Sequence, residues 1–168
     1  MSTRSFTDRL AADFQAVFDL LPVALCLLRG PRHVVEGFNT LAVRVWGLAA
    51  AEAFGRPFLE LLPGPAVADY AAACAEVWQS GRPVLWAEIP VTGLVAAECA
   101  AEPAYFNLSF QALQPQPGEQ GGLLLLAQNV TPLLQARQQA QLLQAELAAT
   151  TAGLADYVAE LLRAANNG

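Results

Sequence analysis

The chain contains no lysine and a single histidine, His33. All nine basic side chains are therefore arginines, scattered from Arg4 to Arg163 without a cluster. Schiff-base chemistry needs a lysine amine and is excluded. Multi-histidine metal sites are excluded for the same kind of reason. A surface that tracks phosphates needs concentrated cations, so nucleic acid is not an expected partner. A serine or cysteine triad would have to recruit His33, and no Gly-x-Ser-x-Gly elbow is present. A glycine-rich nucleotide loop with its lysine is also missing.

Long apolar runs are absent too. The longest, Leu20 to Leu28, contains Pro22 and falls well short of the roughly 20 residues of a membrane-spanning helix. The first eight residues, Met1 to Asp8, carry no apolar signal core. These features point to a cytoplasmic protein. Cys26, Cys74 and Cys99 lie far apart, make an odd count and form no Cys-x-x-Cys pair. They are read as small buried apolar residues rather than as a disulfide or zinc framework.

What is present suits one domain plus an appendage. The chain has 168 residues, of which 55% are hydrophobic and 14% charged, with a net charge of −6. That balance argues for a packed core rather than disorder. Leu10, Phe14, Val17, Phe18 and Leu21 recur at helical spacing, with Thr7 as a cap and Pro22 as a stop. Ala24 to Leu28 and Val34 to Phe38 read as two strands around a turn of Gly30, Pro31, Arg32 and His33. His33 is expected to be an exposed turn residue. Asn39 is a good N-cap for a short helix closed by Gly47. Further short turns cover Ala50 to Phe54 and Phe58 to Leu62. A longer helix starts near Pro65, carries Val67, Tyr70, Ala71, Cys74, Val77 and Trp78 at helical spacing, and ends at Gly81 and Pro83.

Three strands follow, at 84–91, 105–113 and 123–128, with a long loop at 92–103. In the second, Phe106, Leu108, Phe110 and Ala112 point one way, and Tyr105, Asn107, Ser109 and Gln111 the other. The expected class is α+β: a five-stranded antiparallel sheet with helices on one face.

From Pro132 onward Gln, Ala, Leu and Glu dominate. Leu133, Ala136, Ala140, Leu143, Leu147, Thr150, Leu154, Tyr157, Leu161 and Ala164 alternate spacings of three and four. Such a 3.5-residue period predicts a left-handed coiled coil. The alanines and Thr150 make its seam a modest one. Leu134, Leu142, Val158 and Leu162 widen the stripe, which also suits a helix laid back on its own domain.

Several residues together resemble the PAS family. The run from Phe18 through Pro22 to Ala24 is similar to the usual opening, where a helix runs into the first strand. Phe38-Asn39 followed by Trp46-Gly47, the turn Gly55 to Phe58, and the strand from Tyr105 ending near Pro115 are similar to later PAS landmarks. Asn129, Val130 and Thr131 resemble the Asp-x-Thr exit motif, with asparagine in place of aspartate and so without an ion pair. The segment after Thr131 resembles linkers of bacterial PAS-containing sensor histidine kinases. The resemblance implies a flanking helix at 1–21, a PAS core at 22–130 and a signalling helix at 131–168.

It also implies a sensory and dimerising module that signals through the coiled coil to a histidine kinase or similar output. The phosphoacceptor and ATP-binding modules are lacking, so the chain itself is not an enzyme. Haem-binding members place an axial histidine on the helix that here runs from Pro65 to Ser80, which has none. Flavin-binding members carry Asn-Cys-Arg, whereas Cys74 lies in Ala-Cys-Ala-Glu. No cofactor is expected. Tyr70, Cys74, Trp78, Trp86, Asn107 and Ser109 are candidate lining for a pocket holding a small apolar ligand, or simply core filling. The expected partner is a second copy, paired through the C-terminal helix, with the N-terminal helix as a further contact. A free-standing ligand-binding protein or interaction scaffold is the alternative. A small α+β enzyme is a remote one, with Asp69, Tyr70, Glu76 and Glu88 as its acid–base candidates.

Overall fold

Alternating and continuous apolar runs must bury a face, and in the computed structural model they do so as a single sheet. The structure describes residues 14, 16–62, 64, 66–91, 104–115, 118 and 120–166. The chain divides into two compact units, 1–130 and 131–168. In the first, residues 16–20 are helical. They lead to β1 (Ala24–Arg29) and β2 (Val34–Phe38), then α1 (Thr40–Trp46), α2 (Ala50–Ala53) and a 3-10 turn (Phe58–Glu60). The longer α3 (Ala66–Ser80) is followed by β3 (Val84–Val91), β4 (Ala104–Leu113) and β5 (Gly122–Asn129). The strand order is β2-β1-β5-β4-β3, and every pairing is antiparallel. The expected α+β architecture is the observed one.

The core sits between the sheet and the helices of 40–80. Cys26, Leu28, Phe110, Leu123 and Leu125 are fully buried from the sheet, and Phe58, Cys74 and Val77 from the helical side. Burying each large apolar side chain contributes about 1.5–3 kcal/mol. Trp46 packs against Phe38 and Phe58, with ring centroids 5.5 and 5.7 Å away.

Asn39 is wholly buried (0% exposed) between these layers. Its Oδ1 accepts from the N–H of Leu25 and of Ala42, both at 2.9 Å. Its Nδ2 donates to the carbonyls of Phe18 at 3.0 Å and Val23 at 2.8 Å. Both amide donors and both acceptor positions are thus used. The bond to Ala42 is the N-cap of α1, and Gly47 closes that helix in the left-handed region at φ 63°. Next to it, Asp19 Oδ1 accepts from the N–H and the hydroxyl of Thr40.

Two glycines carry specific duties. Gly81, at φ 68°, ends α3 with its N–H on the Val77 carbonyl at 2.9 Å. A Cβ on Gly122 would run into the Leu28 carbonyl oxygen of β1, so the β1–β5 pair can close only with glycine there.

Among the described residues of the N-terminal stripe, Phe18 is the one that is buried. Phe14 is 63% and Val17 58% exposed, and Leu21 is exposed as well. The Phe18 ring reaches over Gly37, where a Cβ would make ordinary contact with the ring at 3.7 Å and a tight one with the Leu27 Cβ at 3.2 Å. Leu10 and Thr7 lie outside the described residues, as does the whole loop at 92–103. His33, expected as an exposed turn residue, is instead buried. It adopts φ 52°, its carbonyl accepts from Phe58 N–H at 3.0 Å, and its ring stands edge-on to Trp78 at 5.5 Å.

The second unit is one helix, α4 (Thr131–Asn166), of 36 residues. It passes through Gly153 unbroken, and none of its residues is buried.

Asn39→Ala should lower the unfolding free energy by about 3–5 kcal/mol, combining a lost cap with backbone groups left unpaired. Urea denaturation followed by circular dichroism measures this. A loss below about 1 kcal/mol would show that the amide is dispensable.

Candidate functional site

Strict alternation along β3 would point Val84, Trp86 and Glu88 inward. The strand breaks that rule. Trp86 pairs with Leu108 and Ile89 with Phe106, so Ala87 and Glu88 together oppose Asn107. This is a β-bulge, with Glu88 in the left-handed region at φ 55°. Asn107 Oδ1 accepts from the Glu88 N–H at 2.9 Å and holds it. The bulge turns Ile89 to the same face as Trp86, because Phe106 and Leu108 share a face.

Between that face and α3 lies an open groove of about 410 Å³. Asp69, Ala72, Ala73 and Glu76 line it from α3, and Val84, Trp86 and Ile89 from β3. The four helix positions are spaced i, i+3, i+4, i+7 and so share one helix face. Asp69 and Glu76 are exposed at its rim.

The six residues read from the sequence as pocket lining do not share one site. Tyr70 and Cys74 lie in the packed core. The Tyr70 ring fills the space between Phe58, Trp86 and Phe110, with centroids 5.5 to 6.1 Å away. Trp78 sits against His33. Asn107 and Ser109 point to the opposite face of the sheet from Phe106, Leu108 and Phe110, as the burial alternation of β4 shows. Only Trp86 reaches both core and groove. Of the acid–base candidates, Asp69 and Glu76 share the groove, Tyr70 faces the core and Glu88 is in the bulge, so they converge on no common point.

Electrostatics in the core favour neutral groups. Burial pushes the Cys74 thiol up to about 12. It pushes Cys26 well above the ordinary thiol value, with Cys74 adding to the effect. Burial also raises the Tyr70 hydroxyl. Burial lowers His33, with the Gly30 backbone opposing it. His33 Nδ1 has no hydrogen-bond partner among the described residues. No group of three His, Cys, Asp or Glu side chains among the described residues could hold a metal ion.

A family model described as the PAS fold matches residues 18–135. The chain belongs to the PAS fold family. Solved PAS-like structures agree in fold. A sensory box sensor histidine kinase from Vibrio cholerae aligns with TM-score 0.53 and 17% identity, over 74% of this chain and 95% of that one. A PAS domain from Colwellia psychrerythraea aligns with TM-score 0.53 and 11% identity, over 73% and 98%. A LOV protein from Rhodobacter sphaeroides aligns with TM-score 0.52 and 19% identity, over 73% and 68%. No curated protein matches the sequence.

The two residues read from the sequence as a signal exit bracket the passage from the last strand to the last helix. Asn129 is the last residue of β5 and Thr131 the first of α4. Between them Val130 is buried, and its N–H donates to the Tyr105 carbonyl at 2.9 Å. Leu133, Leu143, Leu147, Leu154, Tyr157 and Leu161 of the heptad stripe are all exposed, as are its weaker members Ala136, Ala140 and Thr150. No helix among the described residues is long and apolar enough to cross a membrane.

Two outcomes follow from the buried groups. Because the folded state disfavours the His33 imidazolium, the stability it contributes is intact above the usual histidine value of about 6.5. It is lost as pH falls through the lowered folded value. Urea midpoints at pH 7.5 and 5.0 should therefore differ less in His33→Asn, which tolerates positive φ, than in the parent. Cys26 and Cys74 should resist alkylation by iodoacetamide at pH 8 in the native state and react on unfolding. Mass spectrometry of the two peptides reads this directly.

Proposed function

We propose that the chain is a cytoplasmic, non-catalytic PAS signalling module that pairs with a second copy through α4 and passes a signal along it to a histidine kinase or similar output. The observation that carries this reading is α4 itself. Its 36 residues amount to about 54 Å of helix. The stripe from Leu133 to Leu161 has the 3.5-residue period of a two-stranded seam, and it is exposed in the single chain. Exposed leucines at regular spacing over that length are costly in water and are relieved by pairing. The similarity in fold to a sensor histidine kinase supports the choice of output.

The seam is uneven in a way that suits a relay. Leu143 and Leu147 are strong members, whereas Ala136, Ala140 and Thr150 bury little. Around the middle, Thr150 Oγ1 donates to the Glu146 carbonyl at 2.9 Å. Thr151 Oγ1 donates to the carbonyls of Leu147 and Ala148 at 3.0 and 2.9 Å. Such back-bonding loosens and bends a helix locally, and Gly153 follows two residues later with open space where a side chain would be. This is the place where a shift of pairing or register costs least. Phe14 and Val17 of the N-terminal helix, also exposed, offer a second contact between copies.

Light scattering after gel filtration at roughly 50 µM, where a modest coiled coil is associated, should give a dimer. The double variant Leu143→Glu/Leu147→Glu should give a monomer whose core melts as before. A monomeric parent would overturn the pairing.

A further inference from the structure

We propose that the groove between α3 and the bulged part of β3 binds a small organic cation with an apolar body, of the arylalkyl- or alkylammonium class. Its interior is apolar, formed by Ala72, Ala73, Val84, Trp86 and Ile89. Among the described residues its ionisable lining is of one sign, Asp69 and Glu76. Neither carboxylate has a hydrogen bond or ion pair among the described residues. The two stand two helical turns apart, about 10 Å along the axis, and flank the apolar floor at either end. A ligand seated on that floor keeps an ammonium group within reach of one of them. An anion would meet the same rim with repulsion, added to the chain's net charge of −6.

Trp86 supplies the second half of the recognition. An indole is the strongest aromatic partner for a cation. This one is half-buried, clamped edge-on by Tyr70 at 5.5 Å and Phe110 at 4.8 Å, and still lines the groove. It is therefore held in place before any ligand arrives, which reduces the entropy lost on binding. The volume of about 410 Å³ lies in the range of small-molecule sites, about 300–1,000 Å³. The bulge is what completes the wall. Were the same residues in strict alternation, Ile89 would face the other side of the sheet and the Glu88 side chain would enter the groove in its place. The site does not depend on pairing through α4, so the two proposals fail separately.

Phenethylammonium and 3-phenylpropionate are similar in size and opposite in charge, and they form the test. Titrations followed by calorimetry and by the Trp86 indole N–H resonance should show phenethylammonium binding with a dissociation constant on the order of 1 mM. The propionate should bind at least about tenfold more weakly. In Asp69→Asn/Glu76→Gln, whose changes are isosteric and on the surface, phenethylammonium should weaken about fivefold or more with an unchanged melting temperature. Equal binding of the two probes, no movement of the Trp86 resonance, or full affinity in the double variant would each overturn the site.

Discussion

The first unit is held together at one buried amide. Asn39 meets the end of the N-terminal helix, the start of β1 and the first turn of α1 at once, through Phe18, Val23, Leu25 and Ala42. Each of those backbone groups would otherwise be a polar atom near the core without water. An apolar residue could fill the volume but would leave four groups unpaired, at about 1–3 kcal/mol apiece. An aspartate could accept but not donate. The side chain at this position is therefore chosen by counting donors and acceptors, and the hairpin and the helices above it take their mutual placement from that count.

Away from this point the sheet is less uniform than its strand order implies. Its centre is dry, with Leu123, Leu125 and Phe110 closed over by Phe58 and Tyr70. Its β3 edge is distorted by a bulge that a side-chain amide from β4 stabilises. The centre is filled by aromatic rings, and the β3 edge opens into a groove. That division is also why Tyr70 and Trp86, in contact with each other, have different surroundings.

Much of the architecture was legible because it rests on local chemistry. Asn39 as a cap, Gly47 and Gly81 as helix ends, Pro83 as a stop and the alternation of β4 all act within a few residues. The heptad spacing of α4 is equally local. What escaped depends on distant partners. His33 looks like any turn residue until Trp78, 45 positions later, covers it. The bulge at Glu88 needs the Asn107 amide from the next strand. The residues read as pocket lining do not all share one face: the alternation that puts Phe106, Leu108 and Phe110 inward sends Asn107 and Ser109 outward. Asp69 and Glu76 carried a usable signal in their seven-residue spacing, but it meant nothing without the bulged strand opposite.

The glycine at the start of β5 has a consequence for how the strands find each other. Leu25 to Leu28 and Leu123 to Leu126 are apolar on both faces. A two-residue pattern therefore gives little guidance about alignment. A slide that carried Leu123 into the place of Gly122 would drive a side chain into the Leu28 carbonyl. The opposite slide would break the bond from Gly30 N–H to the Gly121 carbonyl at 2.9 Å. Gly122 thus works as a detent: a position without a side chain that lets two greasy, interchangeable strands click into a single alignment.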